Sequence, residues 1–210
     1  MVFNRRFLPS LLVVLFLSTL ASADSATVNM TFLYTGTNTY AGYYTYPYYF
    51  SVNGGQATAM MCDSFNNHIS PGESWTANVS GLLSGKGMFG KNITDYKAAG
   101  IIFLGVMHGT INSGIGNWAV WNLFSNTGVT DSAVLAIDKS ALALALHAPA
   151  SEFKGLMLYT AVGSSPGYGP QEFIGYRNPG TLTPEPASLL LLATGLIAIA
   201  GLVRWKFLRG

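Results

Sequence analysis

Cysteine is almost missing from this sequence: its 210 residues include one, Cys62. A single thiol cannot close an intrachain disulfide, so a disulfide-stapled scaffold is excluded. Charge is scarce too, at 10% of residues against about 25% in ordinary soluble domains. With a formal net charge of +2 and no interior stripe of basic residues, nothing here is suited to neutralising phosphates, and no nucleic-acid partner is expected. The three histidines, His68, His108 and His147, stand about forty residues apart, without the short spacing of a zinc site. No metal ligands and no cofactor are expected. No Gly-x-Ser-x-Gly elbow and no Walker pattern occur, which leaves no signature of an α/β-hydrolase or a P-loop. What the chain has in quantity is apolar and aromatic: 50% hydrophobic and 13% aromatic residues, a composition that excludes disorder for most of its length.

The few charges are unevenly placed. Residues 24–183 carry six basic and eight acidic side chains, a net of −2. The excess of basic residues therefore sits at the two ends. At the start, Arg5 and Arg6 precede an apolar run from Phe7 to Leu20, and Ala21-Ser22-Ala23 forms a small-residue cleavage site. This is the pattern of a secretory signal peptide over residues 1–23, cut between Ala23 and Asp24. The partners it implies are the Sec translocon and signal peptidase. At the other end, Pro184-Glu185-Pro186 is followed by 17 uncharged residues, Ala187 to Val203, and then by Arg204, Lys206 and Arg209. At 1.5 Å per residue that run nearly crosses a hydrocarbon core of about 30 Å. The prolines stop a helix from continuing upstream, and the basic flank belongs on the cytoplasmic side of the inner membrane. A C-terminal transmembrane helix is expected, with residues 24–182 outside the cytoplasm.

The Pro-Glu-Pro triplet, the leucine-rich run and the basic tail, in that order over residues 183–210, resemble the PEP-CTERM sorting signal. The resemblance implies an exosortase substrate of a Gram-negative bacterium. Such a protein is held in the inner membrane facing the periplasm until the motif is recognised, then passed to the cell surface or the biofilm matrix, with exopolysaccharide as a further partner. Here Trp205, Phe207 and Leu208 interleave the basic residues, where that family often has a tighter arginine run.

The exported part reads as an α+β domain: a β-rich N-terminal half, two or three helices, and a terminal β pair. Strands are expected over Thr27–Tyr34, with Val28, Met30, Phe32 and Tyr34 on one face, and over Tyr43–Val52, with Pro47 marking an edge or a bend. Gln56–Cys62 should pair back across the Asn53-Gly54-Gly55 turn, and Glu73–Val79 adds another strand. Gly81–Gly90 reads as a glycine-rich loop. Helices are expected over Thr94–Met107, Ile115–Phe124 and Thr130–His147, with Thr94 or Asp95 and Thr130 or Asp131 as caps. Phe153–Val162 and Glu172–Tyr176 close the domain as strands.

Within that domain, Cys62-Asp63-Ser64-Phe65 and Asn117-Trp118-Ala119-Val120-Trp121 resemble the thioester domains of bacterial surface adhesins. In those domains a strand cysteine and a helix glutamine condense into an internal thioester that captures a nucleophile. The matching pair here is Cys62 and Asn117, and Asn117 is one methylene shorter than the glutamine it replaces. Read from the residues alone, Cys62 is a small buried hydrophobe, since reactivity would need a cation or a helix N-terminus beside it. The tyrosines of residues 40–49 offer either cross-strand packing or an exposed contact face. Acid pairs for hydrolysis could be drawn from Asp63, Glu73, Asp95, Asp131 and Asp138, which read more simply as turn and cap residues. The sequence points to a non-enzymatic, structural or adhesive protein. A covalent adhesin using Cys62 and a periplasmic hydrolase are the alternatives.

Overall fold

The computed structural model describes residues 26–177. The signal peptide and the C-terminal membrane segment expected from the sequence lie outside the described residues. Among the described residues no helix is long and apolar enough to cross a membrane.

Among the described residues the β-rich half, the three helices and the terminal strand pair follow in the order expected, with eight strands where six were expected. The strands are β1 (Ala26–Thr35), β2 (Thr39–Tyr40), β3 (Tyr43–Tyr44), β4 (Tyr48–Val52), β5 (Thr58–Cys62) and β6 (Ser74–Gly81). The helices α1 (Ile93–Met107), α2 (Ser113–Phe124) and α3 (Ser132–Ala145) come next, then β7 (Leu156–Ala161) and β8 (Phe173–Tyr176). The terminal strand pair does not stand apart from the N-terminal half. It closes a six-stranded antiparallel barrel in the order β1-β4-β5-β8-β7-β6, with β2 and β3 as a separate hairpin. Closure gives every barrel strand two partners and leaves no free edge. Alternating residues fill the interior: Met30, Phe50, Met60, Leu158 and Phe173 are all fully buried. Each such side chain contributes roughly 1.5–3 kcal/mol by leaving water.

The helices are inserted between β6 and β7 and pack on one another, with Ala98, Ala99, Ile102 and Phe103 of α1 buried in the shared core. Asp131 caps α3 as expected, its carboxylate accepting the Ala133 N–H at 2.7 Å. The start of α1 differs from expectation: Asn92 is the cap residue, and Asp95 bonds its side chain instead of a backbone amide. α2 begins two residues before Ile115 because Asn112 accepts the Gly114 and Ile115 N–H groups at 2.9 and 3.2 Å.

Two differences shape the surface. Strand β1 carries an irregularity between Phe32, opposite Phe50, and Tyr34, opposite Tyr49. One extra residue reverses the facing of the rest of the strand, so Tyr34 points outward instead of continuing the Val28–Met30–Phe32 row. The expected strand Tyr43–Val52 is divided. Pro47 comes after a cis peptide bond, and the Tyr46 N–H is taken by the Asn117 side chain, not by a strand neighbour. Upstream, β2 and β3 join through Ala41 and Gly42, both at positive φ, as a two-residue hairpin turn requires.

Candidate functional site

The hairpin β2–β3 lies over the N-terminal part of α2. Trp118 Nε1 donates to the Tyr40 carbonyl at 3.2 Å, and the Tyr40 hydroxyl donates to the Asp131 carboxylate. That contact, with the Ala133 amide, holds Asp131 below the usual carboxylate range. One acid thus caps α3 and pins the hairpin. The Tyr43 ring then meets Phe65, Trp118 and Trp121, with centroids 5.4, 5.6 and 6.4 Å away.

Between this hairpin and residues 65–71 opens a cleft of about 460 Å³. Buried Phe32, Tyr48 and Trp121 form its floor, and Tyr34, Tyr43 and Tyr44 stand exposed at its rim. His68 and Gln171 add polar groups. No lysine, arginine, aspartate or glutamate lines it.

Cys62 is fully buried at the end of β5. Burial, and secondarily the adjacent Asp63, push its thiol up to about 12, against smaller opposing effects from Trp121 and Ser64. The structure brings Cys62 and Asn117 together, but through the backbone. Asn117 Nδ2 donates to the Cys62 carbonyl at 3.0 Å while Oδ1 accepts the Tyr46 N–H at 2.8 Å. The Cys62 sulfur instead faces the Ser64 carbonyl at 3.5 Å. The amide therefore ties helix α2 to strand β5 and to the bend at Pro47.

Next to it is a group of residues the sequence did not reveal as a unit. Asp63 and Glu172 are both fully buried. Glu172 accepts the Met88 N–H and the Tyr96 hydroxyl, each at 2.7 Å, and the Thr160 hydroxyl. Asp63 has no donor for either carboxyl oxygen. Desolvation, and then the Glu172 charge beside it, hold Asp63 well above the usual carboxylate range. In its protonated form Asp63 has a hydrogen to offer Glu172. The Ser64 hydroxyl accepts the Glu172 N–H at 2.8 Å, and Gln171 Nε2 donates to the Ser64 carbonyl at 3.2 Å. These bonds fasten the exit of β5 to the entry of β8.

The other acids named from the sequence do not join this pair. Glu73 receives the Ser70 N–H in a turn, Asp95 sits at the start of α1, and Asp131 caps α3. Asp138 accepts from Asn122 Nδ2 at 2.7 Å between α2 and α3. Among the described residues no three His, Cys, Asp or Glu side chains gather as a metal ion would need. The sorting residues Pro184, Glu185 and Pro186, the flank Arg204, Lys206 and Arg209, and the cleavage residues Ala21 and Ala23 lie outside the described residues.

Residues 182–204 match the PEP-CTERM protein-sorting motif. Among solved structures, the fold is weakly similar to the N-terminal thioester domain of a surface protein from Clostridium perfringens. The two are 14% identical, with a TM-score of 0.41, over 71% of this chain and 98% of that one. No curated protein matches the sequence. The sorting motif implies an exported protein that is processed at the membrane, with exosortase as its processing partner.

Proposed function

We propose that this chain is a non-enzymatic surface or matrix protein. Its sorting tail delivers residues 24–182 to the cell exterior, where the domain acts as a structural or adhesive module. One observation carries the delivery half of the reading: the sorting motif at residues 182–204 comes shortly after the last described strand.

The adhesive half is supported by where the polar chemistry sits. The carboxyl pair Asp63–Glu172 is sealed from solvent, so no substrate reaches it. A glycosidase needs two carboxyl groups facing a shared cleft. The cleft beside the hairpin is lined by aromatic rings and polar groups without an acid, and two further clefts open to solvent each carry a single acid, Asp131 in one and Glu73 in the other. Covalent capture would need the Asn117 side-chain amide presented to the Cys62 sulfur, and that amide is engaged on both sides by backbone groups.

The intact mass of the protein isolated from its producing cells tests the proposal. A chain beginning at Asp24 and ending within or just before Pro184-Glu185-Pro186 is expected. A full-length tail in the surface fraction would overturn sorting by cleavage.

A further inference from the structure

We infer that the cleft beneath the β2–β3 hairpin is a binding subsite for an uncharged polysaccharide, held by stacking on tyrosine rings. Three rim residues carry the argument. Tyr34, Tyr43 and Tyr44 are 51%, 48% and 58% exposed, although large aromatic side chains are normally buried where the fold allows it. Their exposure is built in. The irregularity in β1 turns Tyr34 outward, where its ring lies tilted against Tyr49 with centroids 4.7 Å apart. The hairpin that presents Tyr43 and Tyr44 is fixed to the helices by the Tyr40–Asp131 and Trp118–Tyr40 contacts.

The lining decides the ligand class. A tyrosine offers an apolar face with a hydroxyl at its tip. A pyranose ring has the complementary form: C–H groups across one face and hydroxyls around its edge. His68, Gln171 and Thr35 supply further hydrogen-bonding groups beside the rings. No lysine or arginine lines the cleft, so an anionic polymer would find no fixed cation there. At about 460 Å³ it falls within the roughly 300–1,000 Å³ of small-ligand sites, enough for a short stretch of sugar chain and too little for a folded partner. A peptide added as an extra strand finds no edge on the closed barrel, and the β2–β3 hairpin offers edges only two residues long.

The inference supplies a ligand class for the adhesive reading and rests on that reading for its biological sense. The test does not depend on export, so the two can fail separately. The protein is isolated from its producing cells, in the form those cells hold it, in a polyoxyethylene detergent, which carries no sugar headgroup. It is run in native gels containing dextran, laminarin or hydroxyethyl cellulose, and in gels containing anionic alginate. Retardation by at least one neutral polymer is expected, unchanged by added salt and weakened ten-fold or more in Tyr43→Ala and in Tyr34→Ala. Both rings are at the surface, and a melting temperature close to that of the parent shows that each variant is folded. Absence of retardation in all three neutral gels would overturn the inference. So would retardation by alginate alone that salt abolishes, or neutral-polymer binding that survives both substitutions.

Discussion

Asn117 and Cys62 are joined by a side-chain-to-backbone hydrogen bond: the Asn117 amide nitrogen donates to the Cys62 carbonyl at 3.0 Å. Its oxygen simultaneously receives the Tyr46 N–H. Helix α2, strand β5 and the bend before β4 therefore meet at one buried amide. Asn117→Ala should strand a buried acceptor and a buried donor, at about 1–3 kcal/mol for each. Urea unfolding is expected to show a loss of several kcal/mol. Asn117→Gln should also destabilise, because the longer arm cannot place both amide atoms at these distances. A neutral Asn117→Ala would mean that the clasp is not structural.

Cys62 should behave as a packed thiol. With its pKa pushed up to about 12, the thiolate fraction at pH 8 is on the order of 10⁻⁴, and burial blocks approach as well. Iodoacetamide at pH 8 should leave the folded protein unmodified over a period that fully alkylates the urea-unfolded chain. The intact mass should equal the summed mass with no deficit of one ammonia. A deficit reversed by methylamine would instead establish a thioester to Asn117.

Much of the fold could be read from the chain because its signals are local. The Asn53-Gly54-Gly55 turn, the Asp131 cap and the apolar alternation of Val28, Met30 and Phe32 each act over a few residues. Barrel closure was not legible, since nothing within β7 or β8 states that they pair with β6 and β5. The outward turn of Tyr34 depends on one extra residue in β1, which alternation alone cannot register. The Asp63–Glu172 pair was hidden for a similar reason. The two acids are 109 positions apart, and Glu172 reads simply as the first residue of the last expected strand. The one usable hint was an acid set directly against hydrophobic residues in both Cys62-Asp63 and Glu172-Phe173.

Gly87 should prove intolerant of a side chain. A Cβ built there would lie 2.1 Å from the Tyr96 hydroxyl and 2.7 Å from Leu158. Gly87→Ala must displace the ring that donates to Glu172, and overpacking of this kind costs about 1–3 kcal/mol before the lost hydrogen bond is added. Tyr96→Phe removes the nearest clashing atom and leaves the ring carbon at 2.6 Å and Leu158 at 2.7 Å, so the relief is partial. The double variant Gly87→Ala/Tyr96→Phe should therefore be less destabilised than the sum of the two singles, as a thermal-unfolding cycle would measure. Strict additivity would contradict the contact.

Asp63 makes the barrel's stability depend on pH. Its folded pKa is raised well above the unfolded value near 3.9, by desolvation and then by Glu172. For an acid with a raised folded pKa, the unfolded chain ionises first, so stability is greatest at low pH and falls as pH climbs from about 4 through the folded value. Asp63→Asn keeps the shape, carries no charge, and can donate to Glu172. It is expected to stabilise the protein at pH 8 by about 1–2 kcal/mol and to flatten the slope. An unchanged slope in urea titrations across pH would mean that Asp63 ionises freely in the folded state.

Asp138 adds a second dependence in a separate window. It is buried between α2 and α3, accepts one bond from Asn122 Nδ2, and has its other oxygen without a partner. Burial raises its pKa to about 6, with the Asn122 bond opposing. Below about pH 4 the acid is protonated in both states. Between about 4 and 6 the unfolded chain ionises while the folded one does not, and folding stability declines. Above 6 the full penalty is in place, at most about 3 kcal/mol by the conversion of ~1.4 kcal/mol per pKa unit. Asp138→Asn preserves an acceptor for Asn122 and removes the charge. The stability difference between parent and variant, plotted against pH, should therefore change between about 4 and 6 and level off above 6. The separate Asp63 contribution cancels in that difference. A difference that is constant across this range would place the Asp138 carboxyl in water and not between the helices.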